Sequence, residues 1–312
     1  MDEKIPVYFI NGFLEAGKTN FINFTVGQDY FSIKGTTLLI VCEEGLEEYD
    51  EKFLKKHKTV LELVENEEDL TEDLIKDMVI KHRPSRIIVE YNGMWRMASF
   101  PLLPYFEVEQ QITIVDGNTF TNYFANMKSL FAEMVRNSEL VLVNRCDAIE
   151  DYSSSRRAIK ALATRAEVVF ENVHGEEIDF SGEDLPYDYN APVIEISDEN
   201  YGIWFFDALD HRERYEGKTV LIKGMVLMAP DMPKHTFIPG RMAMTCCADD
   251  ISFLGFLCKY QRSDTLTNRQ WVSVKATVTY SYQKDYGGVG PVLSAIEVTG
   301  AKPADVEVLN FN

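Results

Sequence analysis

From residue 12 to residue 19 the chain reads Gly12-Phe-Leu-Glu-Ala-Gly-Lys-Thr19, a full match to the loop G-x-x-x-x-G-K-[ST]. The chemistry this spacing serves is the cradling of phosphate. Gly12 and Gly17 let the backbone curl until its N–H groups converge on an anion. Lys18 supplies a positive charge for the β- and γ-phosphates, and the Thr19 hydroxyl supplies a hard oxygen ligand for Mg²⁺. Glu15, Ala16 and Asn20 complete the segment expected to touch a nucleotide. An apolar run of strand character, residues 5–10, precedes the loop, and a stretch that can form a helix follows from Lys18. That order is what the motif requires, and the attraction of a helix N-terminus for anions adds to it.

Two later segments supply what the loop lacks. Ile87-Ile-Val-Glu-Tyr-Asn-Gly93 ends an apolar run with an acid, so Glu90 is expected to hold Mg²⁺ through a water while Gly93 lets the backbone approach the γ-phosphate. Leu140-Val-Leu-Val-Asn-Arg-Cys-Asp147 is similar to the guanine-reading element N-K-x-D. A carboxylate at Asp147 accepts from guanine N1–H and N2–H₂, donors that adenine does not present in that arrangement. Asn144 would brace the loop, and Arg145 replaces a lysine whose stem lies over the base; a planar guanidinium can stack there as well. The nucleotide is therefore expected to be GTP.

These residues need a scaffold that brings several strand ends together. Apolar runs at 5–10, 37–42, 86–91, 111–115, 140–144, 167–170 and 192–196 alternate with helical stretches at 47–57, 70–82, 120–137 and 153–166. That alternation predicts an α/β fold, a mostly parallel sheet with helices on both faces. The pattern changes across 181–192, which reads as loop. An amphipathic stretch at 204–214 then leads into strand-like runs at 219–226, 237–247, 271–282 and 293–298, with a Gly- and Pro-rich turn at 287–291. We expect two domains, 1–197 and 198–312, the second a small all-β domain of the oligonucleotide/oligosaccharide-binding (OB) type.

With 31 basic and 50 acidic residues the chain carries −19, which opposes binding to nucleic-acid backbone or an anionic membrane surface. No secretory start and no apolar run of about 18 residues is present, so a cytoplasmic location without membrane insertion is expected. Five cysteines, odd in number and sparse, argue against a disulfide framework.

Together the phosphate loop, Glu90-x-x-Gly93, Ile114-Val-Asp-Gly117 and Asn144-x-x-Asp147 resemble the CobW-type branch of the G3E GTPases. The resemblance implies a P-loop GTPase of slow intrinsic turnover that handles a metal or metal-cofactor cargo, and it implies nucleotide-dependent homodimers. In that family the second strand ends in N-E-x-G, followed by an acid, forming a switch near Mg²⁺ and the cargo metal. Here Val41-Cys-Glu-Glu-Gly45 keeps Glu43 but has Cys42 for Asn, and Asp50 stands in the place of the acid. Glu43 and Asp50 are therefore candidate ligands for Mg²⁺ or cargo, and Glu43 is the candidate for orienting the attacking water. The family's C-x-C-C is missing, because residues 61–69 contain no cysteine.

In the second domain, Met244-Thr-Cys-Cys-Ala-Asp-Asp250 places Cys246 and Cys247 side by side. Adjacent strand residues face opposite ways, so unless a bulge intervenes a Zn²⁺ or similar transition-metal site would take only one of them, completed from Asp249, Asp250, Cys258 and His235. This region is similar to a little-characterised barrel-like domain that accompanies predicted bacterial permeases, which implies a transporter-like partner or a metal-protein client. Three readings stay open: a metal-handling GTPase, a nucleotide switch that docks a protein without metal cargo, and an ATP-dependent enzyme.

Overall fold

The computed structural model describes residues 4–178, 185–245, 250–284 and 287–311. The chain divides into two compact units, one formed by Met1–Tyr152 and Leu162–Asp179, the other by Ser153–Ala161 and Phe180–Asn312.

The first unit contains strands β1 (Ile5–Asn11), β2 (Thr37–Val41), β3 (Thr59–Leu63), β4 (Arg86–Glu90), β5 (Phe106–Asp116), β6 (Leu140–Asn144) and β7 (Glu167–Phe170). They form one sheet in the order β3-β2-β4-β1-β5-β6-β7, and every pairing is parallel. Helices α1 (Lys18–Val26), α2 (Glu51–Lys56), α3 (Glu72–His82), α4 (Gly117–Asn126) and α5 (Lys128–Val135) supply crossovers. Alternate residues of each strand feed separate layers. Leu38 and Ile40 join Val7, Phe9 and Ile87 on one side, while Leu39 and Val41 join Ile10, Ile22 and Val26 on the other. Each such side chain, fully buried, contributes about 1.5–3 kcal/mol.

Several expected boundaries move, each for a local reason. The helix expected from 47 begins at Glu51, because the Asp50 carboxylate caps it by accepting from Lys52 N at 2.7 Å and Phe53 N at 3.2 Å. The stretch 120–137 is two helices, interrupted at Met127 (φ −130°, ψ 34°). β3 was not expected. It is an edge strand whose Glu62 is tied to α3 by Lys81 Nζ at 2.6 Å and by His82 Nε2 at 2.5 Å.

The second unit gathers α6 (Tyr152–Leu162), β8 (Ile194–Glu195), α7 (Tyr201–Asp210), α8 (Arg212–Tyr215), β9 (Thr219–Leu227), β10 (Thr236–Met244), β11 (Ile251–Gly255), β12 (Cys258–Lys259), β13 (Trp271–Gln283), β14 (Gly288–Gly300) and β15 (Val308–Asn310). Nearly all of α6 falls here, held by Lys160 Nζ and Arg156 Nη2 on Asp210 at 3.0 and 2.8 Å. β9 pairs with β10, β10 with β12, β12 with β14, β14 with β13, and β13 with β9, closing a barrel in which only β12–β14 is parallel. This is the small OB-like barrel expected from sequence.

The run at 192–196 extends this second sheet rather than the first, as β8 parallel to β9. The helix expected to be amphipathic, α7, buries Tyr201, Trp204, Phe205, Phe206 and Ala208, and Phe205 stacks on Phe256 at 4.7 Å. The expected turn at 287–291 lies largely in β14, where Pro291 pairs with Tyr280. Among the described residues no helix is long and apolar enough to cross a membrane.

Candidate nucleotide site

The loop between β1 and α1 wraps around its own lysine. Lys18, 3% exposed, donates from Nζ to Gly12 O at 2.8 Å and Phe13 O at 2.9 Å, and forms an ion pair with Glu43. The carboxyl ends of three strands pack tightly here. A Cβ on Gly12 (φ +147°) would lie 2.3 Å from Ile114 O, and one on Gly93 would lie 2.4 Å from Gly12 O. Gly93→Ala is therefore expected to push the loop out of place, at a cost of about 1–3 kcal/mol. A thermal unfolding scan reads that loss, and nucleotide affinity should fall with it.

At the next residue, Thr19 Oγ1 donates to Glu90 Oε1 at 2.8 Å, and the Tyr49 hydroxyl donates to Glu90 Oε2. Glu90 is 4% exposed, and burial pushes its carboxyl above the ordinary carboxylate range against the opposing effect of its two hydroxyl donors and Lys18. Burial, followed by the charge of Glu90, pushes the Tyr49 hydroxyl upward, so it remains a donor. A hydroxyl and a carboxylate in contact, beside a buried lysine, are two hard oxygen ligands of the kind Mg²⁺ takes.

The loop after β6 meets the phosphate loop from the other side. Asn144 Nδ2 donates to Ala16 O at 2.7 Å, and Arg145 (φ +49°) donates to Glu15 O at 2.6 Å while pairing with Asp116 at 3.0 Å. Asn144 Oδ1 and Arg145 Nε are buried and have no hydrogen-bond partner among the described residues. Both residues line a cavity of about 540 Å³ that also takes in Asn20, Phe24, Asn172 and Val173. Asp147 accepts from Val173 N at 2.8 Å through Oδ2. A carboxylate has about four acceptor positions, so this bond leaves capacity for a base edge.

The structure thus brings Gly12, Glu15, Ala16, Gly17, Lys18, Thr19, Glu43 and Glu90 together, with Asn144 and Arg145 against them. Asp50, a candidate ligand by sequence, caps α2 through Oδ1. Two residues were missed. Tyr49 carries no motif of its own, whereas Asp116, the partner of Arg145, was legible within Ile114-Val-Asp-Gly117.

Cys246, Cys247 and Asp249 lie outside the described residues. The groups weighed beside them are engaged elsewhere. Thr245 Oγ1 donates to Asp250 Oδ2 at 2.9 Å, and His235 Nδ1 lies 3.1 Å from Gln261 O. Cys258 is fully buried, and burial pushes its thiol up to about 12. Among the described residues there is no group of three or more His, Cys, Asp or Glu able to hold a metal ion. Cys42 is also fully buried, its thiol pushed up to about 12 by burial and then by Glu43 and Glu90. In the native protein at pH 8, Cys42 and Cys258 should therefore escape iodoacetamide and label only in denaturant, as read by peptide mass mapping.

Residues 6–170 match the family model described as CobW/HypB/UreG, nucleotide-binding domain, and residues 180–307 match the DUF1980 C-terminal domain. No curated protein matches the chain. Among solved structures, Zn(II)-bound YjiA GTPase from E. coli is 14% identical, over 81% of this chain and 89% of that one, with a TM-score of 0.42. Hydrogenase maturation factor HypB from Archaeoglobus fulgidus is 13% identical over 56% of this chain and 84% of that one, at 0.38. HypB from Helicobacter pylori in complex with nickel is 12% identical over 55% and 80%, at 0.37.

Proposed function

We propose that this chain, which belongs to the CobW/HypB/UreG nucleotide-binding family, binds GTP with Mg²⁺ and hydrolyses it slowly. The observation that carries this reading is the convergence of Lys18, the Thr19–Glu90 pair and the Asn144–Arg145 loop on one side of the first sheet's strand ends.

Each residue then has a task. Lys18 and the loop N–H groups stabilise negative charge on the transferring phosphoryl group. Thr19 and Glu90 would hold Mg²⁺, which when bound neutralises charge on the phosphate oxygens. Asn144 and Arg145 fix the base-reading loop to the phosphate loop, and Asp147 selects guanine by accepting from two donors that adenine lacks in that position. Asp116 keeps Arg145 in place.

We extend the proposal to cargo. Hydrolysis is coupled to the handling of a metal or metal-containing cofactor, in concert with a transporter-like partner. The support is the presence, on one chain, of the family's nucleotide domain and a DUF1980 C-terminal domain. Zn²⁺ and Ni²⁺ titrations of the full chain, with and without GTP, test it. Stoichiometric metal binding that shifts with GTP is the expected result. Metal binding absent in both conditions would leave a nucleotide switch that docks a protein partner.

A further inference from the structure

Both charged groups on which the proposed site depends are already engaged by side chains of a single short segment. Glu43 forms an ion pair with Lys18, the two side chains being 9% and 2% exposed. Tyr49, on the same segment, donates to Glu90. Between them, Leu46 N donates to Glu15 Oε1 of the phosphate loop at 2.7 Å. The segment is thus fastened to the site at three points.

An ammonium has three donors. Those of Lys18 are matched by Gly12 O, Phe13 O and the Glu43 carboxylate. A phosphate oxygen arriving at Lys18 must displace one of these acceptors. The two carbonyls belong to the loop that encloses the lysine, whereas Glu43 comes from a separate segment. It is also an anion, so a polyphosphate competing for the same buried ammonium repels it at close range. Glu90 has the same problem on its other side. Its Oε2 is occupied by the Tyr49 hydroxyl, and a divalent cation at that carboxylate competes with this donor.

We propose that Glu43 and Tyr49 form an internal plug. Glu43 stands at Lys18 as a counter-anion in place of phosphate, Tyr49 stands at Glu90 in place of a cation, and Mg²⁺–nucleotide binds by expelling both. The inference rests on the reading of this site as a Mg²⁺–GTP site. Because the two contacts sit on one segment, their loss frees residues 43–49 as a unit and gives the nucleotide a mechanical output. It also sets a sign. A state in which Lys18 is neutralised internally lowers the competent fraction, so apparent affinity is reduced by that fraction.

The test is calorimetric titration of the full chain and of Glu43→Gln, which keeps the shape and removes the charge, with GTP and GDP in Mg²⁺. Affinity for both nucleotides is expected to rise about tenfold. Tyr49→Phe is an independent arm that keeps the Lys18–Glu43 pair. It should tighten GTP binding in Mg²⁺ and, because both contacts hold one segment, tighten it in EDTA as well but by less. A wild type that binds GTP while Glu43→Gln binds equally or more weakly overturns the plug, because Glu43 would then not oppose binding. Neither protein binding GTP or GDP overturns the functional reading beneath it. Tight binding by Glu43→Gln alone is the extreme of the expected result.

Discussion

Lys18→Met should lower GTP turnover by at least about 10²-fold, the scale on which one preorganised charge-stabilising donor acts. The lysine is buried and held by two loop carbonyls, which in the proposed site would fix its ammonium where charge gathers on the β- and γ-phosphates. Methionine keeps the length and apolar stem and removes only the charge and its donors. The substitution leaves Glu43 without its counter-charge in a site where its side chain is 9% exposed, which costs stability of about 1–3 kcal/mol. Turnover by phosphate release, read beside thermal unfolding, separates the two effects. A folded variant with wild-type turnover would remove Lys18 from the chemistry.

The second large effect is expected at Asp147. Asp147→Ala should collapse the preference for GTP over ATP by about 10²-fold or more, since a site built to bond a donor edge discriminates strongly only while its acceptor is there. Its carboxylate already accepts from Val173 N, which anchors the acceptor beside the cavity that Asn144 and Arg145 line. The loss should fall on GTP affinity and leave ATP affinity near its starting value. Competition of each nucleotide against a fluorescent guanine nucleotide measures both. An unchanged ratio would place base selection elsewhere.

The two loops that carry these residues were readable in the sequence because ligand chemistry restricts their residue types. Gly12, Lys18 and Thr19 sit in a spacing that packing alone would not impose, and Asp147 follows a strand whose apolar residues announce it. The alternating patterns of β9 and β13 were legible for a different reason: one face of each is buried in the barrel and the other is not.

What escaped reading depends on contacts distant in sequence. β3 is short and carries Glu62 as the fourth of its five residues, so its strand character comes from pairing with β2 and from the bonds to α3. β12 is two residues long, yet it closes the barrel by pairing with β10 and β14. The break at Met127 has neither glycine nor proline to mark it. Tyr49 lies in an acidic run that reads as a solvated face, and only the return of that run to the end of β4 brings its hydroxyl to Glu90. Asp50, singled out by its position, also caps its own helix, a role that the sequence reading did not assign to it.

The central claim is that this is a guanine-selective, Mg²⁺-dependent site. Titrating the wild-type chain with GTP and with ATP, each in Mg²⁺ and again in EDTA, tests it most directly. The expected result is one GTP bound per chain, weakened by EDTA, with ATP at least about 10²-fold weaker. ATP binding as tightly as GTP, or GTP affinity indifferent to Mg²⁺, would contradict it.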